Sequence, residues 1–144
     1  MDIFNRSATY EYAVSEKFVA GLVLTGTEIK SLRQGKASFT DAFCYFVKGE
    51  LFLRNLHIAE YSHGNITNHD PLRERKLLLH KRELHKLETR TREKGFTIIP
   101  LKLFINQAGF AKLEIALAKG KKIHDKRQSI RERETDREIR RRIE

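Results

Sequence analysis

The chain contains no tryptophan, one cysteine, one methionine and two prolines among its 144 residues. A lone cysteine, Cys44, excludes an internal disulfide and suits a reducing, cytoplasmic setting. It lies among Phe43, Tyr45 and Phe46 and reads as a small core residue rather than a nucleophile. No apolar run approaches the roughly 20 residues a transmembrane helix needs. The opening Met1-Asp2-Ile3-Phe4-Asn5-Arg6 lacks the apolar core of a signal peptide. There is no Gly-rich phosphate loop and no Gly-x-Ser-x-Gly. The six histidines show no zinc spacing, since His80 and His85 are five apart and do not share a helix face. The carboxylates fall mostly beside Lys or Arg, a pattern of solvated pairs rather than of general acid–base chemistry. A nuclease drawing on Asp41, Asp70 and Asp125 is the enzyme alternative; the main reading is a non-enzyme with no cofactor and no metal.

What the chain has in excess is positive charge. Lys and Arg number 29 against 19 Asp and Glu, for a net charge of +10. Half of that excess sits in the last 26 residues, Lys119 to Glu144, where 11 basic residues face 6 acidic ones. The large apolar residues of this stretch are Ile123, Ile130, Ile139 and Ile143. So little apolar surface cannot offset the entropy of ordering the segment, which is expected to be mobile alone and ordered by a polyanionic partner. With no Trp, Phe or Leu in it, a membrane-surface helix is disfavoured and nucleic acid is the expected partner. Residues 1–118 are read as one domain and residues 119–144 as a basic tail, with Gly120 permitting a hinge between them.

The first 118 residues read as mainly β. Residues 9–24 alternate as a strand, with Gly21 marking a bend or bulge. Thr25 and Glu28 form a capping-box pattern opening a short helix that Gly35 closes. Residues 38–58 read as a hairpin turning at Lys48-Gly49, and residues 60–73, broken by Gly64 and Pro71, as a long exposed loop. Leu77-Leu78-Leu79 is expected to be a short buried strand. His80 stands at the start of a helix with Leu84 and Leu87 on one face, ended by Gly95. Residues 96–105 and 111–117 alternate as strands joined by the turn Asn106-Gln107-Ala108-Gly109; Pro100 places an edge or a bulge in the first. About six strands with two or three short helices imply a small antiparallel β-barrel of the oligonucleotide-binding type.

Basic residues recur in clusters on this frame. Lys30 and Arg33 are neighbours on one helix face, with Lys36 just beyond. Arg73, Arg75 and Lys76 leave the loop and enter the Leu triplet, placing charge beside a rigid wall. Lys81, Arg82 and Lys86 follow on the next helix, and Lys119, Lys121 and Lys122 open the tail. Arg forks bind phosphate bidentately and stack on bases. Singly each cluster is a solvated face; together with the tail they point to RNA or DNA.

Four motifs, in order, identify a resemblance. They are Thr27-Glu28-Ile29-Lys30-Ser31-Leu32-Arg33, Arg75-Lys76-Leu77-Leu78-Leu79-His80-Lys81, Pro100-Leu101-Lys102-Leu103 and Ala118-Lys119-Gly120-Lys121-Lys122-Ile123-His124-Asp125-Lys126-Arg127. Together the motifs resemble the bacterial SsrA-binding proteins, the small protein B family, over almost the whole chain. The resemblance implies an oligonucleotide-binding-type barrel that binds transfer-messenger RNA (tmRNA) and brings it to ribosomes stalled on truncated messages. It implies no chemistry of the protein's own, a monomer in the cytoplasm, and no membrane partner. Position by position, it implies RNA contacts at Leu78 and His80. It also implies that His124 stacks on a ribosomal base and that Asp125, Lys126 and Arg127 act in the vacant decoding centre and message channel. The family's tail becomes helical there; Asp136 with Arg140 and Glu138 with Arg142 are acid-first i, i+4 pairs, each worth about 0.2–0.5 kcal/mol. One position departs: relatives often carry Glu where this chain has Val19, and a valine cannot accept a hydrogen bond.

Two other readings remain from the sequence. One is a general RNA-binding barrel of the translation apparatus without tmRNA specificity. The other is an interaction protein docking on acidic protein surfaces.

Overall fold

A computed structural model describes residues 2–63, 68–93 and 95–121. Among them the order is β1 (Asp2–Phe4), α1 (Ala8–Glu11), β2 (Tyr12–Leu22), α2 (Gly26–Arg33), β3 (Ala37–Val47) and β4 (Glu50–Ile58). Then come β5 (Arg75–Leu78), α3 (Lys81–Thr91), β6 (Phe96–Ile105) and β7 (Ala111–Gly120). All pairings are antiparallel. The strands β6, β3, β4, β5, β2 and β7 follow one another, and β7 pairs back to β6, so six strands close into a barrel. β1 adds to β6 as a three-residue flank. Closure removes most of the unpaired strand edge that an open sheet of this size would present.

The period-2 pattern, shifted once in β6 by the bulge after Pro100, decides what fills the barrel. Leu51, Leu53, Leu77, Ile98, Leu103, Leu113, Ile115 and Leu117 all point inward and are almost wholly buried. Leu32 of α2 and Leu87 of α3 join the same core, which explains how helices of eight and eleven residues persist. Cys44 is buried with them, and that burial pushes its thiol pKa far above the ordinary range, so it is inert packing. No helix among the described residues is long and apolar enough to cross a membrane.

The punctuation residues act as their chemistry requires. Lys48 and Gly49 both take positive φ, 50° and 79°, the geometry of a two-residue hairpin turn whose twist matches its strands. Pro100 sits where the β6–β7 register shifts, so the missing N–H falls at a bulge. Its carbonyl accepts from the Asn5 side chain at 2.8 Å. A second bulge, between Phe39 and Phe43, places Asp41 at φ 52°.

Three expectations from the sequence are corrected, and one short strand is added. The strand read as starting at residue 9 begins at Tyr12, because Ala8–Glu11 forms one helical turn with Ala8 packed on Ile99 and Ala116. The added strand is β1, whose three residues are too few to show a period. Gly21, read as a bend or bulge, is not a bulge: the register shift of β2 lies between Val14 and Glu16. Gly21 is in continuous register with both Leu78 and Lys112. The Leu77-Leu78-Leu79 triplet is not buried as a unit: strand alternation takes Leu77 inward and leaves Leu78 53% exposed.

Candidate nucleic-acid interface

The α2 N-terminus and the loop before β5 are held by one buried carboxylate. Glu28 is the third helical residue after the cap Thr25; its Oε1 accepts the Thr25 backbone N–H at 2.8 Å, while the Thr25 hydroxyl accepts from the Glu28 N–H. The same carboxylate accepts from Arg73 Nη2 and from Arg75 Nε, each at 2.6 Å. Arg75 also donates to the carbonyls of Leu56 and Pro71, and Arg73 to that of Val23 at 3.2 Å. Burial by itself would raise the Glu28 pKa. The bonds from Arg73, Thr25 and Arg75 outweigh that and hold it at about 2.

This network corrects the reading of Arg75. Its side chain is wholly buried and its donors point into the protein, so it cannot meet a phosphate on the surface. Arg73 is partly exposed but committed to the same carboxylate. Both arginines anchor the loop. His69, also buried, adds to the anchor: the carbonyl of Ile58 accepts from Nε2 at 2.8 Å, which leaves Nδ1 to accept from the Thr27 hydroxyl at 2.9 Å. Asn68 closes the loop on Tyr61, donating to its carbonyl and accepting from its N–H.

With α2 and β5 fixed, an exposed face forms where β5, β2 and β7 run side by side. Gly21 is opposite Leu78 on one flank and Lys112 on the other. A Cβ at Gly21 would stand 3.4 Å from that of Leu78, so the glycine lets Leu78 lie close over the strand. Two shallow cavities adjoin there and share Gly21, Leu78 and Lys112. One, of about 370 Å³, is walled by Ile29 and Phe110. The other, of about 290 Å³, is bordered by Val19, His80 and Glu83. His80 caps α3, and its backbone N–H donates to Glu83 Oε1 at 3.2 Å, which leaves the imidazole exposed at the rim.

The expected residues thus fall into groups. Leu78 and His80 come together, and Val19 joins them, with Glu83 lining the same cavity and Glu114 directly across the β2–β7 ladder. Arg33 lies beside the turn before Phe110, its guanidinium 3.9 Å from where a Gly109 Cβ would be. Lys30 leans instead over the Tyr61 ring at 5.5 Å, and Lys36 is exposed after the helix. Lys76 is paired with Glu50 at 3.3 Å beside Phe52, and Lys119 lies 4.5 Å over the Phe96 ring. The Lys121 backbone donates to Glu11, and β7 runs on to Gly120. Lys122, His124, Asp125, Lys126 and Arg127 lie outside the described residues. Sequence reasoning missed Phe110 and Lys112. Phe110 is the most exposed large apolar side chain among the described residues, at 66%, and its place just after a Gly turn was the available signal.

Exposed apolar side chains around shallow cavities, with Lys112 in both, Arg33 beside the Phe110 turn and Glu83 at one edge, on a closed and strongly basic barrel, fit the class of nucleic-acid-binding modules. Among the described residues no group of His, Cys, Asp or Glu could hold a metal. The model of the SmpB protein family matches residues 3–144, so the chain belongs to that family. An SsrA-binding protein of Phocaeicola vulgatus is 55% identical over 139 residues, 96% of this chain and 93% of that one. The SsrA-binding protein of Geobacillus kaustophilus is 54% identical over 137 residues, 95% of this chain and 88% of that one. A solved structure described as "tmRNA-SmpB: a journey to the center of the bacterial ribosome" matches with a TM-score of 0.72 and 47% identity. That match covers 90% of this chain and 94% of the other.

Proposed function

We infer that this chain binds tmRNA and delivers it to stalled ribosomes for trans-translation, acting as a binding protein and not as an enzyme. The observation that carries the reading is the likeness, at 47% identity over 90% of this chain, to a solved structure described as tmRNA-SmpB. The geometry supplies the surface. Leu78, His80, Phe110 and Lys112 form a rigid apolar and basic face on which folded RNA can be read by shape and by its unpaired loop bases. Arg33 adds positive charge beside the Phe110 turn, and Lys76, two residues before Leu78 on the same side of β5, adds more although it is paired with Glu50. Lys30 and Lys36 would serve RNA from outside this face.

The same reading assigns residues 1–118 to the RNA-binding barrel and residues 119–144 to a tail for the decoding centre and message channel. Lys119, Lys121 and Lys122 would carry the charge from the barrel into the tail. His124 would stack on a ribosomal base, and Asp125, Lys126 and Arg127 would act in accommodation. A cytoplasmic monomer fits this role.

The test of the barrel is to sequence the RNA that copurifies with the full chain from its host. One dominant tmRNA species is expected. A broad mixture of tRNA and rRNA fragments would favour the general RNA-binding barrel instead. The test of the tail replaces Asp125, Lys126 and Arg127 by Ala, which changes net charge by one unit. Near-normal tmRNA binding with failed peptide tagging is expected; normal tagging would mean that the tail acts as diffuse charge.

A further inference from the structure

The pairing register arranges outward positions of five adjacent strands into two rows. One row runs Asp2, Phe104, Lys112, Gly21 and Leu78 across β1, β6, β7, β2 and β5. The other runs Phe4, Lys102, Glu114 and Val19 across the first four of these. The positions between the rows, Leu103, Leu113 and Ala20, are fully buried, so both rows share the outer face. One end of this face is the interface around Leu78. The other end is aromatic and basic.

At that second end Lys102 Nζ lies 5.0 Å from the Phe104 ring centre and 5.9 Å from that of Phe4. It also stands 3.9 Å from the Asp2 carboxylate. Phe4 is 58% exposed on a flanking strand, where its ring adds little to the core. A lysine beside two phenylalanines places charge next to two π faces, the combination that binds bases and phosphate together. The two acids of the face each have a lysine nearby: Asp2 has Lys102, and Glu114 has Lys17 at 4.0 Å. Lys112 bridges the two ends, two strand spacings, or about 10 Å, from β1.

We propose that Phe4, Lys102 and Phe104 form a stacking platform for unpaired bases of the same RNA whose folded part sits at Leu78 and His80. The inference rests on the RNA-binding reading above and names a second contact region for it. Continuity favours RNA as the occupant: Lys112 lines both cavities of the interface and is the direct neighbour of Phe104 in the ladder. Unpaired RNA bases stack on Phe rings largely without regard to sequence, while the lysines meet the phosphates.

The experiment uses the full chain and full-length tmRNA, with tRNA as competitor. The variants are Phe4→Leu, Phe4→Tyr and Lys102→Gln, each with its melting temperature. Phe4→Leu is expected to weaken binding by about fivefold to a hundredfold, the range of one lost base stack, with an unchanged melt. Phe4→Tyr should bind as the wild type, and ultraviolet cross-linking should attach nucleotides to the peptides holding Phe4 or Phe104. Wild-type affinity in Phe4→Leu together with no such cross-link overturns the platform while leaving the Leu78 interface standing. Wild-type chain that fails to prefer tmRNA over tRNA overturns the functional reading, and the platform's ligand with it. A dimer that dissociates on Phe4→Leu without change in RNA affinity would make this face a contact between copies and would also overturn the proposal.

Discussion

Arg75 and Leu78 stand three residues apart at the two ends of β5, and each sits where the other's chemistry would place it. The arginine is wholly buried and the leucine is 53% exposed. Strand phase explains both. Arg75 shares its face with Leu77 and points into the barrel, where Glu28 and two carbonyls meet its donors. Burying that charge is tolerable because every nearby partner is engaged. Leu78 has the outward phase, and its cross-strand neighbour on β2 is Gly21, which has no side chain to cover it. A buried arginine with a full set of partners is architecture. An exposed leucine beside an open cavity is a surface waiting for a ligand.

The largest expected effect breaks the buried half of this pair. Glu28→Ala leaves Arg75 charged and without its carboxylate in the interior, and should cost about 3–5 kcal/mol by chemical denaturation. Arg75→Ala should cost a similar amount, yet the fraction that remains folded should bind RNA nearly as well as the wild type. A stable Arg75→Ala protein with poor RNA affinity would return Arg75 to the interface.

Acid tests the same network. The Glu28 pKa is lowered from 4.5 to about 2 in the folded chain. A depressed carboxyl pKa stabilises the fold above the unfolded value, and that contribution fades as pH falls from about 4.5 toward 2. The full shift corresponds to about 3 kcal/mol. Stability measured between pH 5 and pH 2 should therefore fall less steeply in Glu28→Gln than in the wild type, from a lower starting value. Parallel curves would show that Glu28 does not carry the acid sensitivity.

The exposed half should respond in the opposite way. His80→Ala removes the imidazole but keeps the backbone N–H that Glu83 caps, so stability should change by no more than about 0.5 kcal/mol. Its tmRNA affinity should drop about tenfold, as should that of Phe110→Ala. A melting change without an affinity change in His80→Ala would make it a cap and nothing more. The smallest effect belongs to Lys112→Ala, which should weaken binding uniformly across RNAs and reduce the salt slope by about one unit.

The barrel was legible because its strands carry a clean period. Leu113, Ile115 and Leu117 announced β7, and Thr25 with Glu28 marked the start of α2 correctly. The alternation Ile99, Leu101, Leu103, Ile105 located β6 but runs across the bulge after Pro100, so Leu103 and Ile105 join the main core while Ile99 and Leu101 lie with Ala8 on the other side. What could not be read was the partner of each charge. Glu28 and Arg75 are 47 residues apart in sequence, and a capping box explained Glu28 without any need of an arginine. The Arg73-Arg75-Lys76 run therefore looked like one basic cluster. Strand phase and a remote carboxylate divide it into two anchors and one surface lysine. Phe110 was missed for the converse reason: one aromatic after a turn has no periodicity, and its exposure depends on where α2 and β5 leave a gap.

The central claim is that the face around Leu78 binds tmRNA and that its apolar exposure serves that purpose. The most direct measurement is the tmRNA affinity of Leu78→Ala in the full chain, taken beside its melting temperature. Because this side chain lies over a glycine at the surface, the account predicts an affinity at least about tenfold weaker with an almost unchanged melt. Wild-type affinity in a folded Leu78→Ala protein would contradict it.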